Sequence, residues 1–462
     1  MSTNNSSSLH FRKEQALAVT VQLALLWCLS AGSAFCESLT VLPGVKGFGV
    51  QTPAGSGRHS VPARSQVMKV TTLADSGPGS LRACVESIGA RTCVFEISGE
   101  IKLLNFLKIR EPFLTVAGQT APRPGITLTR AGIKIETHDV LIQHIAVRPG
   151  DDSGGVDPGE RDGITIGGKP PNEASNVVID HVSVTWALDE NLSTWYPTTR
   201  DITVSNSLIA EGLDRSIHPK GPHSKGLMIG DGTQRVTVTK NLIAENTERN
   251  PYLKPGTLVE FFNNVVYGWG PGGGWSLCNL SDNSGINAPQ LLSFVGNIYK
   301  PGPWSAQVPA VYGKKVATGT KVFVRDNIGP GRVGGVGDEW GITSLDRVFF
   351  SDQIPFEGSG LKATPAAETL AAVLCKVGSR PHERDAVDSR IVQEVKEGKG
   401  GIKDCVSGCP AASGGWPLLT SSARSVHLPD DPFGDSDRDG YTNLENWLHR
   451  MSLDVEGGEC VS

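Results

Sequence analysis

The 462-residue chain has little excess charge of either sign and no long hydrophobic run beyond its first 36 residues. It has 43 lysines and arginines and 48 acidic residues, and the formal net charge of −5 argues against a nucleic-acid-binding protein. Because no later segment has enough unbroken apolar length to span a bilayer, we expect no membrane-embedded domain. Hydrophobic residues make up 38% and charged residues 20% of the chain, as in globular rather than disordered proteins.

The N-terminal segment 1–34 is predicted to be a secretory signal peptide. Arg12 and Lys13 precede an apolar run over 16–29, which is short for a bilayer span and is followed by small residues. Cleavage after Ala34 would release a secreted, extracellular protein. Retention of this run as a single membrane anchor is the alternative.

The cysteine content agrees with export. Cleavage after residue 34 leaves eight of the nine cysteines, and an even number in an oxidising compartment predicts disulfide bonds. Cys84 and Cys93 are close enough in the chain to close one local loop, whereas Cys405 and Cys409 could pair with each other or with more distant partners. A zinc site at Cys405 and Cys409 is disfavoured because no second pair of ligands lies nearby.

A short strand-like phrase recurs through the middle of the chain. Each copy has three or four apolar or β-branched positions, then a polar residue or glycine, then a further apolar pair. The copies begin at Phe113, Asp139, Asn176, Asp201, Arg235, Leu258, Leu291 and Lys321. The shortest spacing, about 23 residues, is the repeat unit, and longer spacings contain loops.

A repeat of this length, without a helical partner or a leucine-rich pattern, predicts an all-β fold, a parallel β-helix. Its coils stack because no single coil can bury its apolar face, and its loops form a cleft on one side. A β-sandwich is the competing architecture. Asn206, Asn241, Asn264, Asn297 and Asn327 recur near the bend after the strand, where side-chain amides can hydrogen-bond along the stack.

The composition changes after about residue 350. Two helices are predicted over 365–374 and 384–395, the first with a proline near its start. The predicted organisation is a signal peptide over 1–34, a β-helix domain over 35–350, a partly helical extension packing on it over 351–429, and an acidic C-terminal segment over 430–462.

The acidic segment contains a calcium-loop pattern. Asp435, Asp437 and Asp439 alternate along the chain, and a glycine at the sixth position allows a sharp turn, so their carboxylates can converge on a hard cation. Glu445 follows at the eleventh position, whereas an EF-hand has its bidentate acid at the twelfth. We predict a Ca²⁺ loop with these four acids; the alternative is a solvated acidic turn that caps a helix starting near Thr442.

Further acids lie beside the predicted coils. Asp162 precedes the third phrase, Asp180 and His181 lie within it, and Asp189 and Glu190 follow it. Stacked coils bring distant positions together, so these carboxylates could form one cation site. Taken singly, each acid is more simply interpreted as a solvated turn residue.

These phrases resemble those of the secreted pectate lyases of polysaccharide lyase family 1. The resemblance rests on the Asp-Gly-Ile phrase at 162–164, the run 176–181 with its Asp-His pair, and the Arg-x-Pro-x-x-Lys phrase at 249–254, in that order. Further matching phrases, which extend it over roughly 70–448, lie at 118–122, 186–193 and 384–388. It implies a right-handed parallel β-helix and Ca²⁺-assisted β-elimination of de-esterified homogalacturonan.

The resemblance also implies metal ligands. Asp162 and Glu190 match the family's calcium ligands, and Asp189 is a substitute. Asp180 would support the site by contacting these ligands rather than the metal. Where family members often supply another acid, about four residues after Glu190, this chain has Thr194.

Four basic residues complete the implied mechanism. Arg249 matches the family's base, Lys225 would stabilise an enolate-like carboxylate, and His223 and Lys254 would bind substrate. An arginine loses a proton only if burial and nearby cations lower its pKa, which predicts an alkaline optimum. Lys254 replaces the family's second arginine, so it keeps the charge and loses the planar fork.

Aromatic residues and glycosylation sequons accompany these motifs. The aromatic side chains could stack on sugars or pack in the core and loops: Trp195, Tyr196, Trp269 and Trp275. The sequons begin at Asn191 and Asn279, and in a eukaryotic secretory host a glycan on Asn191 would crowd the cleft.

We therefore predict a secreted, Ca²⁺-dependent pectate lyase that acts as a monomer on an acidic polysaccharide, with no nucleic-acid or membrane partner. The first alternative is a lyase for methyl-esterified pectin or another uronate polymer, with less calcium dependence. The second is a catalytically silent β-helix that binds polysaccharide.

Overall fold

Three parallel β-sheets, of ten, eight and eight strands, wind around one apolar interior in the computed structural model. The structure describes residues 39–458 and 460, so the predicted signal peptide, Cys28 and Cys36 lie outside the described residues. The chain passes from sheet 1 to sheet 2 to sheet 3 and then returns to sheet 1 one coil further on. This is the predicted right-handed parallel β-helix, and its parallel pairing excludes an antiparallel β-sandwich.

All three sheets are built from short strands of two to seven residues. Sheet 1 contains Gln66–Val70, Arg91–Phe95, Leu114–Ala117, Val140–Gln143, Ala174–Asp180, Thr199–Ser205, Gln234–Thr239, Leu258–Phe262, Leu291–Val295 and Lys321–Arg325. Sheet 2 contains Gly99–Lys102, Ile126–Thr129, Ile145–Arg148, Ser183–Thr185, Leu208–Ala210, Leu242–Ala244, Val265–Tyr267 and Ile298–Lys300. Sheet 3 contains Leu107–Ile109, Ile133–Ile135, Ile164–Ile166, Glu190–Thr194, Lys225–Ile229, Tyr252–Leu253, Cys278–Asn279 and Val311–Tyr312.

Inward-facing side chains form rows from coil to coil. One row on sheet 1 joins directly paired, buried positions: Val116, Ile142, Ile179, Val204, Val238, Phe261, Phe294 and Val324. Each coil covers apolar surface that its neighbour would otherwise leave in water, a gain of about 25 cal/mol per Å². The apolar rows therefore hold neighbouring coils in register.

Five of the predicted phrase starts have left-handed backbone, with φ of 53° to 61°: Phe113, Asp139, Asn176, Asp201 and Arg235. Each lies at or near the start of a sheet 1 strand. Asparagine and aspartate tolerate this conformation better than other non-glycine residues, which explains why three of the five are Asn or Asp.

Asparagine side chains form the predicted ladder at the bend after sheet 1. The backbone N–H of Asn241 donates to Oδ1 of Asn264 (3.0 Å), and that of Asn264 donates to Oδ1 of Asn297 (2.8 Å). Asn297 N–H donates in turn to Oδ1 of Asn327 (3.1 Å). Asn206 is outside this ladder, because its side chain donates to an aspartate on the neighbouring coil (2.9 Å).

Three α-helices follow the last coil, at Ala366–Lys376, Ala386–Glu397 and Asn443–Glu456, and a short one, Leu81–Val85, lies near the first coil. The helices predicted over 365–374 and 384–395 are confirmed. The first two of the three pack on the outer face of sheet 2 through apolar residues that include Val373 and Ile391. The predicted division of the chain at 350 and 429 stays a prediction.

Short 3₁₀ turns occur at Ala54–Ser56, Gly118–Thr120, Pro158–Glu160, Gly273–Ser276, Val333–Gly335, Glu339–Ile342, Arg347–Phe349 and Pro381–Glu383.

Disulfide bonds join Cys84 to Cys93, Cys405 to Cys409 and Cys375 to Cys460. The local pairing predicted for Cys84 and Cys93 is confirmed, and the Cys405–Cys409 bond leaves no thiolate for a zinc site. Cys278 is the free cysteine of the described chain, and it is buried. Within that part of the chain, no helix is both long and apolar enough to cross a membrane.

Candidate active site

A cleft of about 570 Å³ opens on the outer face of sheet 3. It lies over three successive strands, Ile164–Ile166, Glu190–Thr194 and Lys225–Ile229, which pair in parallel. Its charged lining comprises the cations Lys134, Lys169, Lys220, Lys225 and Arg249 and the acids Glu136, Glu160, Asp162, Asp189 and Glu190. The stacking of coils therefore gathers residues from 134 to 249 into one polar cleft.

Three of the predicted metal ligands come together in this cleft. Asp162, Asp189 and Glu190 each have a carboxylate oxygen within 4.8 Å of the others. Asp162 accepts hydrogen bonds from the backbone N–H of Glu190 (3.2 Å) and the hydroxyl of Thr165 (2.7 Å). Burial, and then the charge of Asp189, raise the pKa of Asp162 to about 7. Oxygen ligands in this arrangement, with a carboxylate that is costly to ionise alone, fit a hard cation such as Ca²⁺.

Asp189 differs from Asp162 because it has a histidine partner. Nε2 of His223 lies 2.9 Å from Oδ1 of Asp189. Burial raises the pKa of Asp189, but the hydrogen bond and charge of His223, together with the charge of Arg249, outweigh it and leave the pKa below its ordinary value. His223 itself stacks on His218, with ring centroids 3.6 Å apart. The two neighbouring aspartates are thus set to ionise at different pH.

Arg249 reaches the carboxylate cluster from the next coil but one. Its guanidinium is paired with Glu190 and lies 6.0 Å from the ring centroid of Tyr252. Burial lowers the pKa of Arg249, and the negative charge of Asp189 opposes this in part. The direction is the one predicted for a base. The expectation that nearby cations also lower this pKa is wrong, because the charged groups that act on Arg249 are acidic and raise it.

The two lysines of the predicted site also have carboxylate partners. Lys225 is paired with Glu248 at the edge of the cleft. Lys254 is paired with Asp231, and its ammonium lies 5.0 Å from the ring centroid of Trp195, which lines the cleft. Lys254 therefore reaches the cleft wall through Trp195.

Asp180 does not join the other acids, which corrects the predicted ligand set. It ends a strand of sheet 1, whereas the cleft lies on sheet 3. Its carboxylate accepts hydrogen bonds from Gln143, His181, Ser205 and Asn206. Burial raises the pKa of Asp180, but the charge of His181 and these hydrogen bonds outweigh it, so the pKa lies below its ordinary value.

Thr194 and the two sequons are buried beneath the surface. Thr194 is fully covered, and its hydroxyl lies 3.2 Å from that of Thr233, so this position does not face the cleft. Asn191 is fully covered and hydrogen-bonded, and Asn279 is buried too. Neither asparagine can carry a glycan in the folded protein, which corrects the expectation of a glycan beside the cleft.

The aromatic residues divide between cleft and core. Trp195 and Tyr196 line the cleft. Trp269 is fully buried, and its indole N–H donates to the carbonyl of Ala306 (2.9 Å), so it is a core residue. Trp275 is 37% exposed and lies outside the cleft lining.

The acidic loop at 435–439 lies away from this cleft. Its three aspartates are exposed, with carboxylate oxygens within 4.8 Å of one another. Glu445 departs from its predicted role because it forms a capping box with Thr442 and an ion pair with Arg58 (3.0 Å). At the twelfth position, the amide of Asn446 contacts Asp437 and Asp439 instead.

Several cleft residues were missed by sequence reasoning. Lys134 pairs in register with Thr165 on the next coil, and Lys169 and Lys220 come from loops between strands. The alternation Ile-Lys-Ile at 133–135 is the one available signal, since it marks a lysine that points out of a buried strand. The loop lysines left no such pattern.

The chain is similar to known proteins over most of its length. No family model matches the chain. A probable pectate lyase C from Aspergillus fumigatus is 31% identical over 448 residues, covering 92% of this chain and 97% of its own. One from Emericella nidulans is 36% identical over 371 residues, covering 78% and 77%. Among solved structures, the major allergen from cedar pollen has a TM-score of 0.49 at 18% identity, covering 71% of this chain and 91% of that one. A Bacillus subtilis pectate lyase variant has a TM-score of 0.48 at 13% identity, covering 74% and 98%.

The relatives named pectate lyase make this β-helical protein a polysaccharide lyase. These relatives are 31% and 36% identical to the chain over most of its length, which is enough to show the family. The chain belongs to the pectate lyase family.

Proposed function

We propose that this protein is a secreted, Ca²⁺-dependent pectate lyase that cleaves de-esterified homogalacturonan to unsaturated oligogalacturonides. The observation that carries the proposal is the group of Asp162, Asp189 and Glu190 within 4.8 Å of one another, with Arg249 against it in one cleft. The same cleft is lined by five cations and five acids, so with Ca²⁺ on its acids it would carry a net positive charge, which suits a polyanionic chain. Relatives named probable pectate lyase C support the same substrate.

Calcium would be held by the three clustered carboxylates. Asp162, Asp189 and Glu190 offer hard oxygen ligands. The raised pKa of Asp162 means that a bound cation would stabilise its ionised form. A bound Ca²⁺ ion would withdraw charge from the uronate carboxylate and so acidify the C5 proton.

Arg249 and Lys225 then perform the elimination. Arg249, whose pKa burial lowers, takes the C5 proton. The electron pair forms the C4–C5 double bond, the bond from C4 to the glycosidic oxygen breaks, and that oxygen leaves with a proton from water. Lys225 stabilises the carboxylate charge that develops as the proton departs. Before the reaction, Arg249 must lose a proton to solvent and give up its contact with Glu190, and Lys225 must exchange Glu248 for the substrate.

Substrate binding is assigned to the walls of the cleft. Trp195 and Tyr196 offer ring faces for sugars. His223 and Lys254 supply polar contacts, and His223 also holds Asp189. Lys254 provides a point charge rather than a two-pronged contact to a uronate carboxylate, so it holds substrate less rigidly than arginine would.

We also propose that the protein is exported and acts as a monomer. Three disulfide bonds in the described structure suit an oxidising compartment.

The acidic loop at 435–439 is proposed as a second, structural Ca²⁺ site. Its test is a calcium titration of the Asp437→Ala variant, which should lose one binding event without losing lyase activity.

The proposed function is tested by ultraviolet absorbance of purified protein on polygalacturonate at alkaline pH, with Ca²⁺ and with chelator, and again on methylated pectin. We expect unsaturated product on polygalacturonate only with Ca²⁺. Asp162→Asn should raise the calcium requirement. The matched control is Glu136→Gln, another acid of the same cleft, which should leave it unchanged.

Other outcomes point elsewhere. Product on methylated pectin without calcium would favour the pectin lyase alternative. Folded protein that forms no unsaturated product on either polymer would contradict the proposal and favour a polysaccharide-binding β-helix.

A further inference from the structure

Each of three proposed site residues is followed by a residue that faces into the coil. The adjacent pairs are 190–191, 225–226 and 249–250, and they come from three successive coils. Glu190 pairs in register with Lys225, and Lys225 forms a bridge to Glu248. Because successive strand residues point to opposite faces, Asn191 and Gly226 lie beneath Glu190 and Lys225. Asn250 follows Arg249 in a turn and is buried beside Gly226.

Asn191 and Asn250 are joined by a third asparagine. Nδ2 of Asn191 donates to Oδ1 of Asn246 (3.0 Å), and Nδ2 of Asn246 donates to Oδ1 of Asn250 (3.2 Å). Asn191 and Asn246 are 0% exposed and Asn250 is 1% exposed. This amide network, Asn191, Asn246 and Asn250, spans three coils without contact with solvent.

Gly226 makes room for the amide network in the middle coil. A Cβ atom at Gly226 would lie 2.7 Å from Oδ1 of Asn250 and 2.9 Å from Nδ2 of Asn246. Any side chain on the residue after Lys225 would therefore push the amides apart. The absence of a side chain lets Asn191 and Asn246 meet across the coil that carries Lys225.

The network uses every side-chain N–H of its three members. Asn191 and Asn246 accept from the backbone N–H of Ala187 (3.1 Å) and Gly212 (2.9 Å) respectively. The remaining donors of the three amides bind backbone carbonyls: Ala210 (3.0 Å), Ile209 (3.1 Å), Asn246 (3.0 Å) and Ser276 (2.8 Å). Backbone carbonyls face Nδ2 of all three amides, and Oδ1 accepts from backbone N–H in Asn191 and Asn246 and from the amide of Asn246 in Asn250, so the orientation of each amide is determined by its surroundings.

We propose that Asn191, Asn246 and Asn250 are positioning residues that fix the backbone from which Glu190, Lys225 and Arg249 project. The inference rests on the proposed function of the cleft. Arg249 has left-handed backbone with φ of 63°, a conformation that a long side chain adopts only when its neighbours impose it. Asn250 contributes to that constraint, since its amide donates to the carbonyl of Asn246 on its own coil and to that of Ser276 on the next coil.

The effect on turnover follows from geometry. The reacting groups lie on three separate coils, so a shift of one coil relative to another changes the distance from base to carboxylate cluster. A displacement of about 1 Å can lower the rate of a preorganised reaction by roughly 10²-fold. The network is therefore expected to affect kcat more than substrate binding.

The test compares Asn246→Ala with Asn264→Ala on polygalacturonate. Asn246 touches none of the proposed reacting groups. Asn264 is the matched control: it is also 0% exposed and hydrogen-bonded in an amide ladder, but at the bend after sheet 1. Both variants should lose thermal stability. Asn246→Ala should lower kcat by about 10- to 100-fold with KM within about threefold, whereas Asn264→Ala should keep kcat within about twofold.

Wild-type protein without lyase activity would refute the proposed function, and the positioning role with it. With active wild type, the positioning role alone is overturned if Asn246→Ala keeps kcat or if Asn264→Ala loses kcat equally. Should Asn246→Ala fail to fold, Asn191→Ala removes one link and leaves the contact of Asn246 with Asn250. An unchanged kcat in that variant overturns the proposal.

Discussion

Calcium binding in the cleft is expected to depend on pH through Asp162. Burial and the neighbouring Asp189 raise the pKa of Asp162 to about 7, so the folded, calcium-free protein holds a proton there below that pH. Calcium binding must then release this proton. The pKa of Asp189 is lowered, so Asp189 adds no such requirement over the same range.

The size of the effect follows from that pKa. At pH 5.5 about 3% of Asp162 is ionised, so the apparent calcium affinity should be about 30-fold weaker than at pH 8.5. Affinity should fall about tenfold per pH unit below pH 7 and be flat above it. Asp162→Asn should bind calcium more weakly and without this slope, because the titrating ligand is gone.

The assay is isothermal titration calorimetry with Ca²⁺ at pH 5.5, 6.5 and 8.5, in two buffers of different ionisation enthalpy that report the protons released. Asp437→Ala serves as the background, so that the exposed loop does not contribute. Glu136→Gln is the control and should keep the wild-type slope. An affinity that does not change between pH 5.5 and 7, or an Asp162→Asn variant that keeps the slope, would refute the reasoning.

Three further predictions concern single side chains. Arg249→Ala should lower turnover on polygalacturonate by roughly 10²-fold or more, since it removes the base; full activity would contradict the assignment. Lys254→Arg should lower KM severalfold in steady-state kinetics because a two-pronged contact is restored, and an unchanged KM would remove this residue from substrate binding. Burial and the charge of Glu211 raise the pKa of Glu245 to about 9, so its folded form stays protonated while the unfolded form ionises. The free energy of unfolding should therefore fall by about 1.4 kcal/mol per pH unit from pH 7 to 8.5 in urea titrations, and Glu245→Gln should lack this contribution.

The coil period and the turns were predictable because they depend on local patterns. Apolar alternation repeats along the chain, and asparagines such as Asn241 and Asn264 recur at the bend after sheet 1 strands. The ladder of Asn241 and Asn264 follows from the same repeat, since equivalent positions of stacked coils must lie above one another.

The residues of the candidate site were predictable only where they belong to a motif that resembles the family. Asp162, Glu190 and Arg249 were expected together from the family resemblance, and the structure brings them together. Asp180 was placed with them and lies elsewhere. Position along the chain does not reveal which sheet of a coil a residue occupies, because loops of unequal length separate the strands.

The sequence by itself determined the architecture: short apolar strands that cannot bury their faces alone must stack, and stacking in parallel makes a β-helix. Only the tertiary structure decided the partners of the site. The pairing of Lys225 with Glu248 and the contact of Asn191 with Asn246, 55 residues away, depend on the register between coils. That register comes from loop lengths and from the packing of the whole interior, which no local pattern records.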